Sequence, residues 1–187
     1  MTSTISLDGM RSLNNVLQRL PDGEQALALV RRMGLWSPRV HDPSDGRVRT
    51  FPTNYSALQG TRLSDECAYW QSEAFRATEL CGLLEGQRVK LVTEGKSLRA
   101  ATRAKLRRKH REDAAAAGQD AKVKDPSATQ LNDEVEESAD VQQLDATVGM
   151  LLVVLESAKA YKEACLNGCA SLSREISLRQ AMMNARL

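Results

Sequence analysis

The sequence predicts an all-α protein whose body is a long antiparallel helical hairpin, with a disordered acidic linker and a small N-terminal helical extension. Two long stretches carry apolar residues at alternating three- and four-residue or seven-residue spacing, which is typical of helices packed side by side. Only 4% of the 187 residues are aromatic, which suits narrow helix seams better than a thick mixed core. The predicted segments are short helices at 1–35, a linker at 36–62, a long helix at 63–112, the acidic linker at 113–140 and an amphipathic assembly helix at 141–187.

The N-terminal extension is predicted to contain two short helices within residues 5–34. Apolar residues recur at helical spacing on both sides of a break at Pro21-Asp22-Gly23, and Gly34 stands where a C-cap glycine is expected. Residues 36–60 then contain three prolines and the pair Asp45-Gly46, a composition that favours a loop.

The first long helix is expected to begin near Ser64 as its N-cap, with Asp65 and Glu66 in the first turn, where the helix dipole favours acids. Its apolar stripe repeats every seven residues with half-steps between, at Trp70, Ala77, Leu84, Leu91 and Leu98, with Ala74 and Cys81. From Ala114 to Ser138 large apolar residues become rare. This segment is predicted to be disordered because it buries too little surface to offset its chain entropy.

The C-terminal helix carries the most regular apolar pattern in the chain. Additional apolar residues at Leu152, Val153, Val154 and Leu166 make its face wider than a single seam requires. The extra width predicts contacts between subunits, so a homo-oligomer is expected. The predicted oligomerisation residues are Leu144, Val148, Leu151, Leu155, Leu172, Ile176 and Met183.

No apolar run reaches the roughly 18 residues of a membrane span. The N-terminus also lacks the basic and apolar regions of a signal peptide. A cytoplasmic protein without membrane association is therefore expected. Its cysteines are predicted to be buried reduced thiols, with a metal site or a disulfide as the alternative; they are Cys67, Cys81, Cys165 and Cys169.

Motifs of nucleotide-binding, metalloprotease, hydrolase and calcium-binding proteins are absent from the sequence. The adjacent acids Asp65-Glu66 and Glu136-Glu137 are assigned to a helix start and to the linker, and no buried acid pair is expected. The two histidines, His41 and His110, lie in a loop and in a run of charge. These observations predict a non-enzyme that needs no cofactor and no metal.

Charge is strongly separated along the chain, although the net charge is only +2. Ten basic residues and one acid, Glu94, lie between Arg88 and Arg111, a local charge of +9. Ten acids and two lysines follow between Glu112 and Asp145, a local charge of −8. The basic residues recur at helical spacing and predict a nucleic-acid-binding surface, the basic ridge, formed by Lys96, Arg99, Arg103, Lys105, Arg107, Arg108, Lys109 and Arg111.

Such a ridge is suited to a phosphate backbone, with affinity that falls steeply as salt rises because binding releases counterions. No aromatic residue is interleaved in it, so neither base stacking nor sequence readout is predicted. The alternative is a solvated helix end that is neutralised by the acidic linker or by an acidic protein partner.

The order of these features resembles that of phage recombination mediators of the UvsY type, which place a long helix, a basic motif, an acidic variable linker and an amphipathic C-terminal helix in the same order. Residues Arg103–Arg107 lie where the family has its basic single-strand-binding motif, and Ala139–Arg179 are similar in spacing to its assembly helix. The resemblance covers roughly residues 62–187. Residues 1–60 look like an extension, and 110–112 stand where aromatic residues follow the family's motif.

This resemblance implies a ring-like homo-oligomer that binds single-stranded DNA coated by a single-strand-binding protein, loosens that coat and helps to load a RecA-like recombinase. It assigns residues 96–111 to DNA and the face from Leu144 to Met183 to assembly, and it implies the cytoplasm of a bacterial host. One alternative is a helical phage structural or assembly protein of the neck, tail or scaffold, with no role in nucleic-acid binding. Another is a small inhibitor of a host protein.

Overall fold

The computed structural model describes residues 13–19, 23–35, 50–116 and 126–185, and every regular element in those ranges is helical. The all-α prediction is therefore confirmed. The expected break at Pro21-Asp22 and the loop at 36–49, with His41, lie outside the described residues. The elements in chain order are α1, Leu13–Gln18; α2, Gly23–Arg32; a 3₁₀ helix, Tyr55–Ala57; α3, Gly60–Ala116; α4, Ala128–Glu136; and α5, Ala139–Asn184.

Gly34 ends α2, as its position in the sequence predicts. Its φ of 69° lies in the left-handed region, which glycine adopts without steric cost. The Leu35 N–H donates to the Val30 carbonyl at 3.1 Å, and the Gly34 N–H donates to the Arg31 carbonyl at 2.9 Å. Together these two bonds form a Schellman motif, which satisfies carbonyl groups at the end of the helix.

The start of α3 differs from the prediction. The helix begins at Gly60, and the hydroxyl of Ser64 donates to the Gly60 carbonyl at 3.2 Å inside the helix. The assignment of Ser64 as N-cap is therefore wrong. Glu66 is buried at 8% exposure instead of lying in a solvated first turn, because the earlier start places it on a helix face that packs against the rest of the chain.

The first of two compact units comprises Met1–Glu85 and Leu151–Leu187. On α3, Trp70, Ala77 and Leu84 are fully buried, which confirms the predicted heptad stripe in this unit. As the residue number along α3 increases, the number of its contacting residue on α5 decreases. The Cys67 Sγ lies 3.6 Å from the Ser173 Oγ, and the Tyr161 hydroxyl donates to Glu73 Oε2 at 2.9 Å. Within this unit the two helices therefore run in opposite directions.

An aromatic cluster closes the first unit around Phe51, which is 4% exposed. The Phe51 ring centroid lies 5.6 Å from that of Trp70, and Tyr69 meets Trp70 edge-on with centroids 5.0 Å apart. Gly168 of α5 leaves the space for the Phe51 ring, because a Cβ at that position would lie 2.5 Å from Phe51 Cε2. The α5 backbone at Gly168 and the Phe51 ring are therefore closer together than a residue with a Cβ at position 168 would permit.

Arg179 of α5 binds the end of the 3₁₀ helix. Its guanidinium donates to the carbonyl oxygens of Leu58 at 2.5 Å and Ser56 at 2.7 Å, and to Glu175 Oε1 at 2.7 Å. Carbonyl groups at the end of a helix lack partners within it. The Arg179 guanidinium supplies hydrogen-bond donors to them, and its positive charge offsets the partial negative charge at that helix end.

The second compact unit, Gly86–Met150, contains the C-terminal part of α3, all of α4 and the start of α5. Its α4 buries Leu131 and Val135 at 1% exposure each, and the Ser127 side chain caps it by accepting from the Gln130 N–H at 3.1 Å. The predicted disorder at 113–140 is therefore wrong for 113–116 and 126–140. The stretch 117–125 lies outside the described residues. An apolar pair four residues apart, Leu131 and Val135, thus supplies the buried face of this short helix.

Glycine also permits a close approach in the second unit. A Cβ at Gly95 of α3 would lie 2.9 Å from Leu144 Cδ2 of α5. Leu91 of α3 and Val141 of α5 are buried in the same unit, so both helices contribute apolar side chains to its interior.

Within the described part of the chain, one helix is long and apolar enough to cross a membrane by length and composition. This helix is α5, whose most apolar 18-residue window has a mean hydropathy of 1.2 and is 28% buried inside the chain. A core helix of a soluble protein passes the same test, so this finding is weak evidence for a membrane span. The absence of membrane association stays a prediction.

Candidate nucleic-acid-binding surface

All residues of the predicted basic ridge lie on α3 within the second unit. At about 100° per residue, Lys96, Arg99, Arg103, Arg107 and Arg111 fall within an arc of about 120°. The remaining three do not share that arc, because Lys105 and Lys109 lie on the opposite side and Arg108 lies between. The cations therefore surround much of the helix instead of forming a single stripe.

Arg99 is held between two acids. Its Nε lies 2.8 Å from Glu136 Oε1 and its Nη2 lies 3.1 Å from Glu136 Oε2, while the same Nη2 lies 2.6 Å from Asp145 Oδ2. These hydrogen bonds, first to Glu136 and then to Asp145, raise the pKa of Arg99. In return, the Arg99 hydrogen bond lowers the pKa of the Glu136 carboxyl. The edge of the guanidinium formed by Nε and Nη2 is used by carboxylates.

Two further side chains of α3 bind α4. The Arg103 Nη2 donates to Asn132 Oδ1 at 2.6 Å, and His110 Nε2 lies 2.8 Å from Glu134 Oε2. The hydrogen bond with His110 lowers the pKa of Glu134. The alternative interpretation, in which the acidic segment neutralises the basic run, therefore describes the surroundings of Arg99.

The other cations of the ridge are exposed to solvent. We call this set the exposed cations: Lys96, Lys105, Arg107, Arg108 and Lys109. Arg111 is exposed as well and makes an interaction of its own. Five positive side chains within 14 residues can contact phosphate oxygens directly, while this part of the helix contains no Phe, Tyr or Trp on which a base could stack.

The predicted oligomerisation residues are divided between the interior and the surface. Leu151, Leu155 and Leu172 are buried within the first unit at 2% exposure or less, so the chain's own packing covers them. Leu144, Val148 and Ile176 are half-buried, and Met183 is 61% exposed. The more exposed apolar side chains of the first unit include Leu152, Val153 and Leu166 of α5 and Phe75 and Leu83 of α3.

A buried carboxylate in the first unit was not predicted. Glu73 of α3 is 1% exposed, and its Oε2 accepts hydrogen bonds from the Tyr161 hydroxyl at 2.9 Å and from the Leu13 N–H at 3.5 Å. Its Oε1 accepts from Arg76 Nη1 at 3.2 Å. Glu66 is buried too and accepts from Trp70 Nε1 at 3.1 Å, so two single acids of α3 are buried, each with its own partners.

The burial of these acids has a signal in the sequence that is easy to overlook. Glu66 and Glu73 are seven residues apart and precede Trp70 and Ala77 by four, so they occupy half-steps of the same heptad. An acid at such a position needs partners inside the core. Here Tyr161, Arg76 and Trp70 supply them.

The cysteines are free thiols, three of them buried and Cys81 half-buried. Burial raises the pKa of Cys165 to about 12 and that of Cys169 to about 11. Burial likewise raises the pKa of Tyr161, whose hydroxyl donates to Glu73. These groups stay protonated near neutral pH. The described residues contain no group of three or more side chains placed to hold a metal ion.

We expect the fold to lose stability at alkaline pH. The folded pKa of Cys165, about 12, lies above the reference value of 9.0, so the folded state holds a proton that the unfolded state releases. This contribution is complete below pH 9 and is lost between pH 9 and 12, at up to about 1.4 kcal/mol per pH unit. Urea unfolding at pH 8 and pH 10 measures the loss. Cys165→Ala should lose less stability over the same interval, and an equal loss in both proteins would contradict the assignment.

Comparison with protein-family models, with curated proteins and with solved structures found no match to this chain.

Proposed function

We propose that this chain is a recombination mediator of the phage type, which binds single-stranded DNA through the basic ridge of α3 and helps to load a RecA-like recombinase onto DNA coated by single-strand-binding protein. The observation that carries the proposal is the set of exposed cations, which stands in a segment of charge +9. Backbone phosphates are the ligands that such a set binds without regard to base sequence.

The helical framework supports this proposal. The cations all lie on one helix, α3, within the second unit, and helices position contacts more precisely than loops do. Because no aromatic side chain accompanies the cations, DNA binding by this surface is expected to be independent of sequence and governed by electrostatics. We place this function in the cytoplasm of a bacterial host and expect it to need no cofactor and no enzymatic activity.

Assembly is part of the proposal. Phe75 and Leu83 on α3 and Leu166 on α5 are each more than half exposed, and contact with a second copy of the chain would remove such side chains from water. We propose that homo-oligomers form through exposed apolar side chains of this kind together with Met183.

Replacing Lys105, Arg107 and Arg108 together by Ala is expected to weaken binding to single-stranded DNA. Affinity falls as salt rises, and each lost phosphate contact makes the slope of log affinity against log salt shallower by about 0.7. Three lost contacts therefore make it shallower by about 2. Fluorescence anisotropy of a labelled oligonucleotide, titrated at several salt concentrations, measures both the affinity and the slope.

The matched control is Arg62→Ala/Lys159→Ala/Arg174→Ala. It removes the same charge from exposed cations of the first unit and should leave the slope close to that of the unaltered protein. Light scattering shows whether each variant keeps its mass in solution. Equal slopes for the two triple variants would rule out the ridge as the DNA-binding surface.

A phage structural or assembly protein is the second candidate. The pairing of Arg99 with Glu136 and Asp145 favours this second candidate. A cation that already binds two carboxylates of its own chain can stabilise the fold, or bind an acidic protein, without any contact to DNA. An oligomer that ignores the oligonucleotide even at low salt would favour this candidate over the mediator.

A further inference from the structure

We propose that acidic side chains of α4 and of the start of α5 compete with nucleic acid for the ridge, so that DNA binds fully only when they are displaced. This inference rests on the proposed function. The competing residues, called the acidic set, are Glu136 and Asp145, which bind Arg99 of the ridge, and Glu134, which binds His110 beside the ridge.

The geometry at Arg99 supports competition for the same donors. Glu136 receives two parallel hydrogen bonds from the guanidinium, at 2.8 and 3.1 Å, and Asp145 receives a third at 2.6 Å. Phosphate is recognised by this same two-pronged arrangement, so a phosphate and the Glu136 carboxylate cannot occupy it together. Arg103 is engaged as well, by Asn132 at 2.6 Å.

The attachment of α4 is of a kind that can be reversed. The helix has nine residues, too few to be stable alone in water, so its helicity depends on docking. Its buried side chains in the described chain are Leu131 and Val135. The carboxylates are half exposed, at 54% for Glu136 and 50% for Asp145, and salt screens ion pairs of that kind.

Displacement therefore links DNA binding to an internal equilibrium. If the ridge is fully available in only a fraction of molecules, the apparent affinity for DNA is lowered by that fraction. Arg103 then contributes to DNA binding only after α4 moves, and Arg99 only after Asp145 of α5 is displaced as well, whereas the exposed cations contribute at once.

The test compares two full-length variants with the same change in charge. Glu134→Gln/Glu136→Gln/Asp145→Asn removes the acidic set. Asp133→Asn/Glu137→Gln/Asp140→Asn removes three exposed acids of the same segment and changes the charge by the same amount. Anisotropy of a labelled single-stranded oligonucleotide at low salt should show the first variant binding about tenfold more tightly than the unaltered protein. The second should change affinity by less than about threefold, and the difference should shrink as salt rises.

A third variant, Leu131→Ala/Val135→Ala, loosens α4 without changing any charge and should also tighten binding. Equal tightening by both acid variants, or no tightening by the first, would overturn the competition while leaving DNA binding intact. Failure of every protein to bind at low salt would overturn both proposals. Binding by the acid-set and α4-loosened variants alone would mean that the competition is nearly complete in the unaltered chain.

Discussion

Replacing Glu73 with Ala is expected to lower the free energy of unfolding by about 3 kcal/mol. The truncation leaves a cavity in a fully buried site. It also leaves the Tyr161 hydroxyl, which donates to Glu73 Oε2 at 2.9 Å, without that acceptor, and an unsatisfied buried hydroxyl costs about 1–3 kcal/mol. Urea unfolding followed by circular dichroism measures the loss.

Two companion variants separate the causes. Glu73→Gln keeps the shape and an acceptor oxygen for Tyr161, so it should lose less than half as much as Glu73→Ala. Tyr161→Phe alone removes the hydroxyl, and Glu73→Leu/Tyr161→Phe should be less destabilised than the sum of its single changes, because the hydroxyl and the carboxylate that accepts its hydrogen bond are removed together. Strict additivity in this double-mutant cycle would show that the two side chains do not act together.

Replacing Gly168 with Leu is expected to cost about 3–5 kcal/mol. A Cβ at this position already falls 2.5 Å from the Phe51 ring, so an isobutyl group must expel that ring from its place against Trp70. The cost then approaches that of truncating a core Phe. Thermal unfolding and the urea midpoint both measure it.

The matched control is Gly82→Leu, in α3 of the same unit. Nothing lies within 4 Å of a Cβ there, and leucine has the higher helix propensity, so stability should stay the same or rise by up to about 1 kcal/mol. In the Gly168→Leu background, removing the Phe51 ring should cost little more, because the ring has already left its site. A full additional penalty would mean that Phe51 had stayed in place.

Local pattern predicted most of the helical architecture. The seven-residue stripe of α3 is buried at Trp70, Ala77 and Leu84, and the C-cap at Gly34 has the predicted left-handed backbone. Periodicity succeeds here because a helix that packs along one side must repeat its apolar residues at the helical period. The end of α2 succeeds because few residues other than glycine adopt a positive φ there.

The same reasoning failed where the average composition of a segment did not reflect the few residues that determine its structure. The composition of 113–140 is that of a disordered chain, yet Leu131 and Val135 share one face and dock α4. Glu66 was assigned to a helix start because acids favour first turns. The helix begins at Gly60, six residues before Glu66, and Glu66 is buried. One or two well-placed side chains outweigh segment composition when a partner surface is available.

The sequence by itself determined the helical class, the periodic seams and the separation of +9 from −8, because each depends on neighbours within a few turns. Only the tertiary structure decided which charges meet. Arg99 reaches Glu136 across 37 positions and Glu73 meets Tyr161 across 88, and no local repeat encodes such pairings. They follow from the way helices distant in sequence pack on one another. That packing sets which cations are covered by acids and which remain exposed.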